Sequence, residues 1–280
     1  MGAGVYDLKY LKLDFTVQGD EPVPFFIGSA LRGAFGHSLK KVCCINPKYE
    51  CDGCFAIPTC LYHDFFEQKN KAHKYRFSID IPSVSWSFSI YLFGDACDRA
   101  PYVVSALNMA LTEAGIGKER KKLKITQIKS DKQVVFDGKN YDFLGAKPKI
   151  FTPSHRKISK VRLMTPIRLK SDGKRVNGSE ITALTVALSI HRRYFELKGE
   201  RCEAGRIELL PQKSGDLEFL DLERYSARQK TKMGLGGYVG TLEVSGCDEL
   251  MSELLELGEI TGVGKSCVFG LGEIRVEEMG

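Results

Sequence analysis

The chain has 280 residues, 43% hydrophobic and 27% charged, a composition that fits two ordinary folded domains and excludes a disordered or fibrous polymer. Its net charge of +6 is modest but unevenly spread. Residues 118–132 hold seven Lys or Arg against two acids, 156–175 hold eight against one, and 248–259 carry five acids and no base, so one surface is expected to face a polyanion. No run of about 18 apolar residues occurs and the start MGAGVYDLKYLKLDF lacks the parts of a secretory signal, which predicts no membrane partner and a cytoplasmic location.

In chain order, alternation and turn residues predict a strand over 6–17, a helix over 28–42, a cysteine-rich loop over 43–68, and strands over 75–81 and 85–93. A helix over 99–114 and a basic strand region over 122–136 follow. This is the βαββαβ order of a ferredoxin-like (RRM-like) domain. The segment GAKPKIFTPSHRK reads as a linker. Beyond it the pattern repeats: a strand over 161–169, turns at SDGK and NG, a helix over 179–197, strands near 205–210, 216–222 and 236–244, a helix over 247–257 and a last strand over 268–276. The expected architecture is therefore α+β, two tandem ferredoxin-like domains at 1–148 and 156–280. The first carries the cysteine-rich insertion and the second a glycine-rich loop at 258–272.

Placed at 100° per residue, the first helix puts Ile27, Leu31, Ala34, Phe35, Leu39 and Val42 on one face and Gly33, Gly36, His37, Lys40 and Lys41 on the other. His37 is thus expected in solvent, beside glycines that invite close approach by another backbone or by a ligand. An exposed histidine with no chemical duty is the plain alternative. His191, on the apolar stripe of its helix with Leu184, Leu188 and Phe195, reads as a satisfied core histidine. Cys44, Cys51, Cys54 and Cys60 follow C-x6-C-x2-C-x5-C spacing, which fits a structural zinc, an iron–sulfur cluster or free reduced thiols. Four protein ligands leave no open position, so a metal there is structural and not catalytic.

Near the C-terminus, GVGKS imitates a phosphate loop, but the glycine required five positions before Gly264 is Glu259 and no helix follows. Gly262, Gly264, Gly270 and Gly272 instead let the backbone pass close to another chain, with Lys265 available to a phosphate. Arg224, Arg228, Lys230 and Lys232 form an alternating basic run that would follow a nucleic-acid backbone along one strand.

Three stretches carry a resemblance. They are GSALRGAFGHSLKKVCC with CDGCFAIPTCLYHDFFE, then MTPIRLKSDGK, and finally RYSARQKTKMGLGGYVGTLEV leading to LGEITGVGKSCVFGLGEIRV. Together they resemble the CRISPR-associated endoribonucleases that process precursor guide RNA, a branch of the repeat-associated (RAMP) RNA-binding superfamily. The resemblance implies a protein that binds CRISPR repeat RNA and cuts it by 2′-hydroxyl attack, leaving a 2′,3′-cyclic phosphate, without a catalytic metal. It places His37 where the family has its general base, with Lys40 or Lys41 as cationic partner; the family's tyrosine has no clear match. Arg32, Arg224, Arg228, Lys230, Lys232, Gly262, Gly264 and Lys265 are the expected RNA contacts. The competing reading is a non-catalytic guide-RNA-binding subunit that works with other CRISPR-associated subunits.

Overall fold

The computed structural model describes residues 6–68, 71–171, 173–202, 215–226 and 231–278. Residues 9–150 make one compact unit, and 151–280 make a second that is completed by the segment ending at Leu8. The composition-based limits are 148 and 156; the chain passes between units after Leu8 and after Ile150. Among the described residues, no helix is long and apolar enough to cross a membrane.

In the first unit, β1 (Lys9–Gln18) leads to α1 (Gly28–Cys43), β2 (Tyr75–Ser78), β3 (Phe88–Phe93), α2 (Ala100–Asn108), β4 (Lys124–Ser130), β5 (Gln133–Phe136) and β6 (Lys149–Ile150). The sheet order β2-β3-β1-β4, extended by β5, is antiparallel throughout and is that of a ferredoxin-like fold. Strict alternation builds β1: Leu11, Leu13, Phe15 and Val17 are buried while the residues between them are not. Against this face α1 sets Leu31, Phe35 and Leu39, each at most 1% exposed. The basic region expected as one strand over 122–136 is a hairpin, because the chain reverses at Asp131 with φ of 51°. The expected linker is not featureless either, since β6 pairs with the start of β1.

The second unit repeats the plan with β7 (Ile158–Ile167), the short hairpin β8 (Lys170–Ser171) and β9 (Lys174–Arg175), α3 (Ala183–Lys198) and β10 (Asp216–Leu220). A hairpin of β11 (Glu223–Ser226) and β12 (Thr231–Gly234) follows, then β13 (Gly237–Glu243), α4 (Glu249–Thr261) and β14 (Ile274–Glu278). Its sheet runs β10-β13-β7-β14, all antiparallel. Thr182 and Asp248 cap α3 and α4 through hydrogen bonds from the N–H groups of Thr185 and Met251. The strand expected near 205–210 lies outside the described residues.

Tyr6 to Leu8 are part of this second core. The Tyr6 N–H donates to Glu253 Oε1 at 2.9 Å, its hydroxyl shares a 2.7 Å hydrogen bond with His191 Nδ1, and the Tyr194 hydroxyl donates to Asp7 Oδ1 at 2.6 Å. His191 is accordingly a satisfied, partly buried histidine, and burial lowers its pKa.

The first turn of chain after Phe151 is held by α4. Glu256, 4% exposed, accepts from the N–H groups of Ser154 at 2.7 Å and Arg156 at 2.8 Å and from the Ser154 hydroxyl at 2.8 Å. Burial pushes its carboxyl up, but these donors outweigh that and hold it below the ordinary glutamate value. A depressed carboxylate contributes stability above its unfolded pKa and loses it as pH falls through the lower folded value. Glu256→Ala should therefore cost about 3 kcal/mol near neutral pH, as for breaking a buried charged pair. In urea titrations Glu256→Gln should flatten the loss of stability on the acidic side relative to the wild type; an unchanged acid profile would refute this role.

Candidate functional site

On α1 two neighbouring stripes at four-residue spacing differ in their surroundings. Arg32, Gly36 and Lys40 face an aromatic shelf supplied by the loop that follows the cysteines. The Arg32 guanidinium lies 4.8 Å from the centre of the Phe66 ring, and the Lys40 ammonium 4.9 Å from that of Tyr62. Tyr62 and Phe66 are stacked, with centroids 5.4 Å apart and planes 9° apart. Gly36 is buried, because a Cβ there would stand 2.5 Å from the Phe66 ring. Gly36 thus leaves the solvent face on which its helical position alone would put it.

Gly33, His37 and Lys41 form the other stripe, and all three are exposed. Nothing lies within 4 Å of a Cβ built on Gly33, so the helix surface one turn before His37 is bare backbone. Side chains four apart on a helix are neighbours, which sets Lys41 beside His37. The structure therefore brings together His37 and Lys41 in open solvent and holds Lys40, three residues from His37, against Tyr62. An imidazole able to take a proton next to an ammonium able to face an anion is the minimum for acid–base work on a phosphodiester.

The cysteines gather where α1 ends. Cys43, Cys44, Cys51, Cys54, Cys60 and His63 line one cavity of about 20 Å³. All five thiols are free. Among the described residues no group of three or more His, Cys, Asp or Glu is arranged to hold a metal ion.

In the second unit the glycine-rich segment folds back on the end of β7. Lys265 N–H donates to the Arg168 carbonyl at 3.0 Å, and Arg168 Nη1 donates to the Ser266 hydroxyl at 3.0 Å. Gly264 has φ of 73°, and a Cβ there would stand 2.5 Å from the Arg168 carbonyl oxygen, so only glycine allows this approach. A pocket of about 230 Å³ results, lined by Arg168, Leu169, Lys170, Arg175 and Lys265. Among the described residues it is lined by four cations and no carboxylate. Burial and then the like charges of Arg175 and Arg224 depress the Arg168 pKa, and its buried Nε has no hydrogen-bond partner among the described residues. An anion would relieve both conditions. Beside the pocket, Arg175 lies 5.7 Å from the ring centre of Phe219, which is 46% exposed and in edge contact with Tyr238.

Arg168, Lys170, Arg175 and Phe219 were not legible as individual contacts; the β8–β9 register of Lys170 with Arg175 brings the basic run 156–175 into a cluster. Lys265 and Gly264 belong to the pocket, and Gly262 caps α4 with φ of 72°. The run expected as one basic strand is instead split over β11 and β12, with Arg224 opposite Met233. Arg224 lies over Phe269, 4.7 Å from its ring centre, while Lys232 is exposed and pairs with Glu223. Arg228 and Lys230 lie outside the described residues.

Comparisons with known proteins fit this division. Residues 161–274, which hold the pocket and the glycine-rich loop, match the model of the CRISPR-associated endoribonuclease Cas6. Residues 8–148 match the N-terminal domain model AF_1859_N. The chain belongs to the family described by the AF_1859_N N-terminal domain model. An uncharacterized protein of Archaeoglobus fulgidus is 25% identical over 91% of this chain and 92% of its own length. Among solved structures, Cas6 of Thermus thermophilus is 14% identical with a TM-score of 0.56, covering 99% of this chain and 100% of that one. A RAMP protein binding different RNA substrates is 14% identical with a TM-score of 0.51, covering 96% and 100%. These likenesses show the Cas6 double ferredoxin-like fold. His37 lies outside the stretch that matches the Cas6 model, within the N-terminal match.

Arg168→Ala and Arg175→Ala should each lower the slope of log affinity for single-stranded RNA against log salt by about 0.7, measured by fluorescence anisotropy across a NaCl series. Lys198→Ala, whose ammonium pairs with Asp7, should leave the slope unchanged. Gly264→Ala should cost about 1–2 kcal/mol of stability from the left-handed conformation alone and weaken RNA binding with it.

Proposed function

We propose that this chain, whose residues 161–274 match the Cas6 endoribonuclease model, cuts CRISPR repeat RNA in a single metal-independent step. The observation that carries the reading is the open stripe of α1, where His37 and Lys41 stand side by side one turn from the bare backbone of Gly33. His37 takes the proton of a ribose 2′-hydroxyl. The 2′-oxygen then attacks the adjacent phosphorus, the bond to the 5′-oxygen breaks, and that oxygen leaves with a proton from a general acid or solvent. The products are a 2′,3′-cyclic phosphate and a 5′-hydroxyl. Lys41, together with Lys40, offsets the charge that grows on the phosphoryl oxygens. Because the nucleophile belongs to the RNA itself, the protein need supply only a base, a cation and alignment.

RNA binding in this reading is shared with the second unit. The cationic pocket of Arg168, Lys170, Arg175 and Lys265 takes a backbone phosphate, and exposed Phe219 offers a face to an unstacked base. These contacts position the strand. Arg32, seated on Phe66, and Arg224, seated on Phe269, are held as further cations with restricted freedom.

The test is incubation of the purified protein with repeat RNA from its own genome in EDTA, with the ends of the products mapped. A single cut that leaves a cyclic phosphate is expected, and RNA carrying a 2′-deoxy group at the cut nucleotide should survive. His37→Ala should reduce cleavage by about 10²-fold or more while affinity stays within a few-fold. Tight binding without a cut would move the reading to the non-catalytic subunit, and equal loss of cutting and binding in His37→Ala would make His37 a binding residue.

A further inference from the structure

The loop between α1 and β2 is poorly provided with a core. Over residues 44–68 only Leu61 and Phe65 are buried hydrophobics, whereas Phe55 is 86% and Ile45 62% exposed. A segment of this length without its own packing requires another tether inside a folded domain. Its backbone is nevertheless sharply defined around the cysteines. Cys44 ends α1 with its N–H bonded to the Lys40 carbonyl at 2.9 Å. Cys51 to Cys54 form a turn closed by Cys54 N–H to Cys51 C=O at 3.2 Å, with Gly53 in the left-handed region at φ of 68°. Cys60 closes the short turn Ile57–Thr59, its N–H bonded to the Ile57 carbonyl at 3.3 Å.

Three separate turns thus deliver thiols to the wall of one cavity. About 20 Å³ accommodates one particle the size of a water molecule or a small ion. As placed, the thiols do not yet converge on a shared ligand position. A protonated thiol has little reason to point at another, whereas a soft cation gives each of them one.

We propose that Cys44, Cys51, Cys54 and Cys60 bind one zinc ion as a tetrahedral thiolate site that staples this loop to the end of α1. Binding turns the four side chains inward and releases their thiol protons to solvent. The resulting excess negative charge is met by cations already nearby, Lys40 beside Cys51 and Arg99 beside Cys43. Cys43 stays out of the ligand set because it is the last residue of α1 and precedes the turn that carries Cys44. The consequence reaches α1, because Tyr62 and Phe66, on which Lys40 and Arg32 rest, immediately follow the last ligand. With four protein ligands the ion has no open position and takes no part in cutting.

The experiment measures bound metal and needs no RNA. Full-length protein purified without added metal should contain about one zinc per chain by plasma mass spectrometry. Replacement by cobalt should give the intense ligand-field bands and sulfur charge transfer of a tetrahedral thiolate site. Cys51→Ser with Cys54→Ser should fall to background metal, while Cys43→Ser and Cys247→Ser should retain the ion. Wild-type protein with no metal and Cys44, Cys51, Cys54 and Cys60 all reactive to a thiol reagent would overturn the proposal without reference to any variant. So would a disulfide between these cysteines in non-reducing peptide mass spectrometry, or the visible absorption of an iron–sulfur cluster in protein as isolated. Loss of zinc from Cys43→Ser would overturn the ligand set. A protein that holds zinc but cuts no RNA would refute the cleavage reading and leave this one intact.

Discussion

A hydrogen in place of a side chain at Gly36 lets the Phe66 ring press against α1, and much of the first unit's surface chemistry is arranged by that contact. With Phe66 against the helix, Tyr62 stacks on it, and the ring pair gives Arg32 and Lys40 a platform. Phe66 in turn meets Phe35 and Tyr75 from the core at centroid distances of 5.7 and 5.9 Å. The platform is therefore anchored to the sheet through the helix's own buried face. Next to this filled stripe the 33/37/41 stripe stays empty, and a quarter turn of helix separates cations held by aromatic rings from a histidine and a lysine open to a ligand.

The second unit builds its site by a different rule. There the backbone of the glycine-rich loop, not a helix face, sets the geometry: Gly264 allows Lys265 to reach the Arg168 carbonyl, and the β8–β9 hairpin turns Arg175 back toward the same place. Gathering these cations is unfavourable in isolation, and burial together with the nearby charges of Arg175 and Arg224 depresses the Arg168 pKa. Two copies of one fold thus offer an anion two kinds of surface, one presented by side chains along a helix and one enclosed by a loop.

The architecture was legible because its signals are periodic. Alternation in β1 and the 3.6-residue stripe of α1 each specify a buried face, and the repeated βαββαβ order follows from those elements. What escaped detection depends on partners distant in sequence or on turns without the usual residues. Asp131 reverses the chain between β4 and β5 with no glycine. Gly36 appeared solvent-facing because the ring that covers it comes from a loop about 30 residues later, and helical position says nothing about that loop. His37 was legible as exposed, which needs only the helix. Arg168 and Arg175 were hidden inside a long basic run, whose members acquire separate duties only when a two-residue hairpin sorts them.

The second unit is not a continuous piece of chain. Tyr6 and Asp7 bond to α3 and to Glu253 of α4, with 247 positions separating Tyr6 from its partner. Those contacts form only once α4 is present, so in sequence the first unit is an insertion between two parts of the second. A fragment cut at residue 151 would retain its sheet and both helices yet leave Glu253 and His191 facing an empty berth. The segment Tyr6 to Leu8 is in this sense a latch that ties together two distant parts of the second unit's sequence.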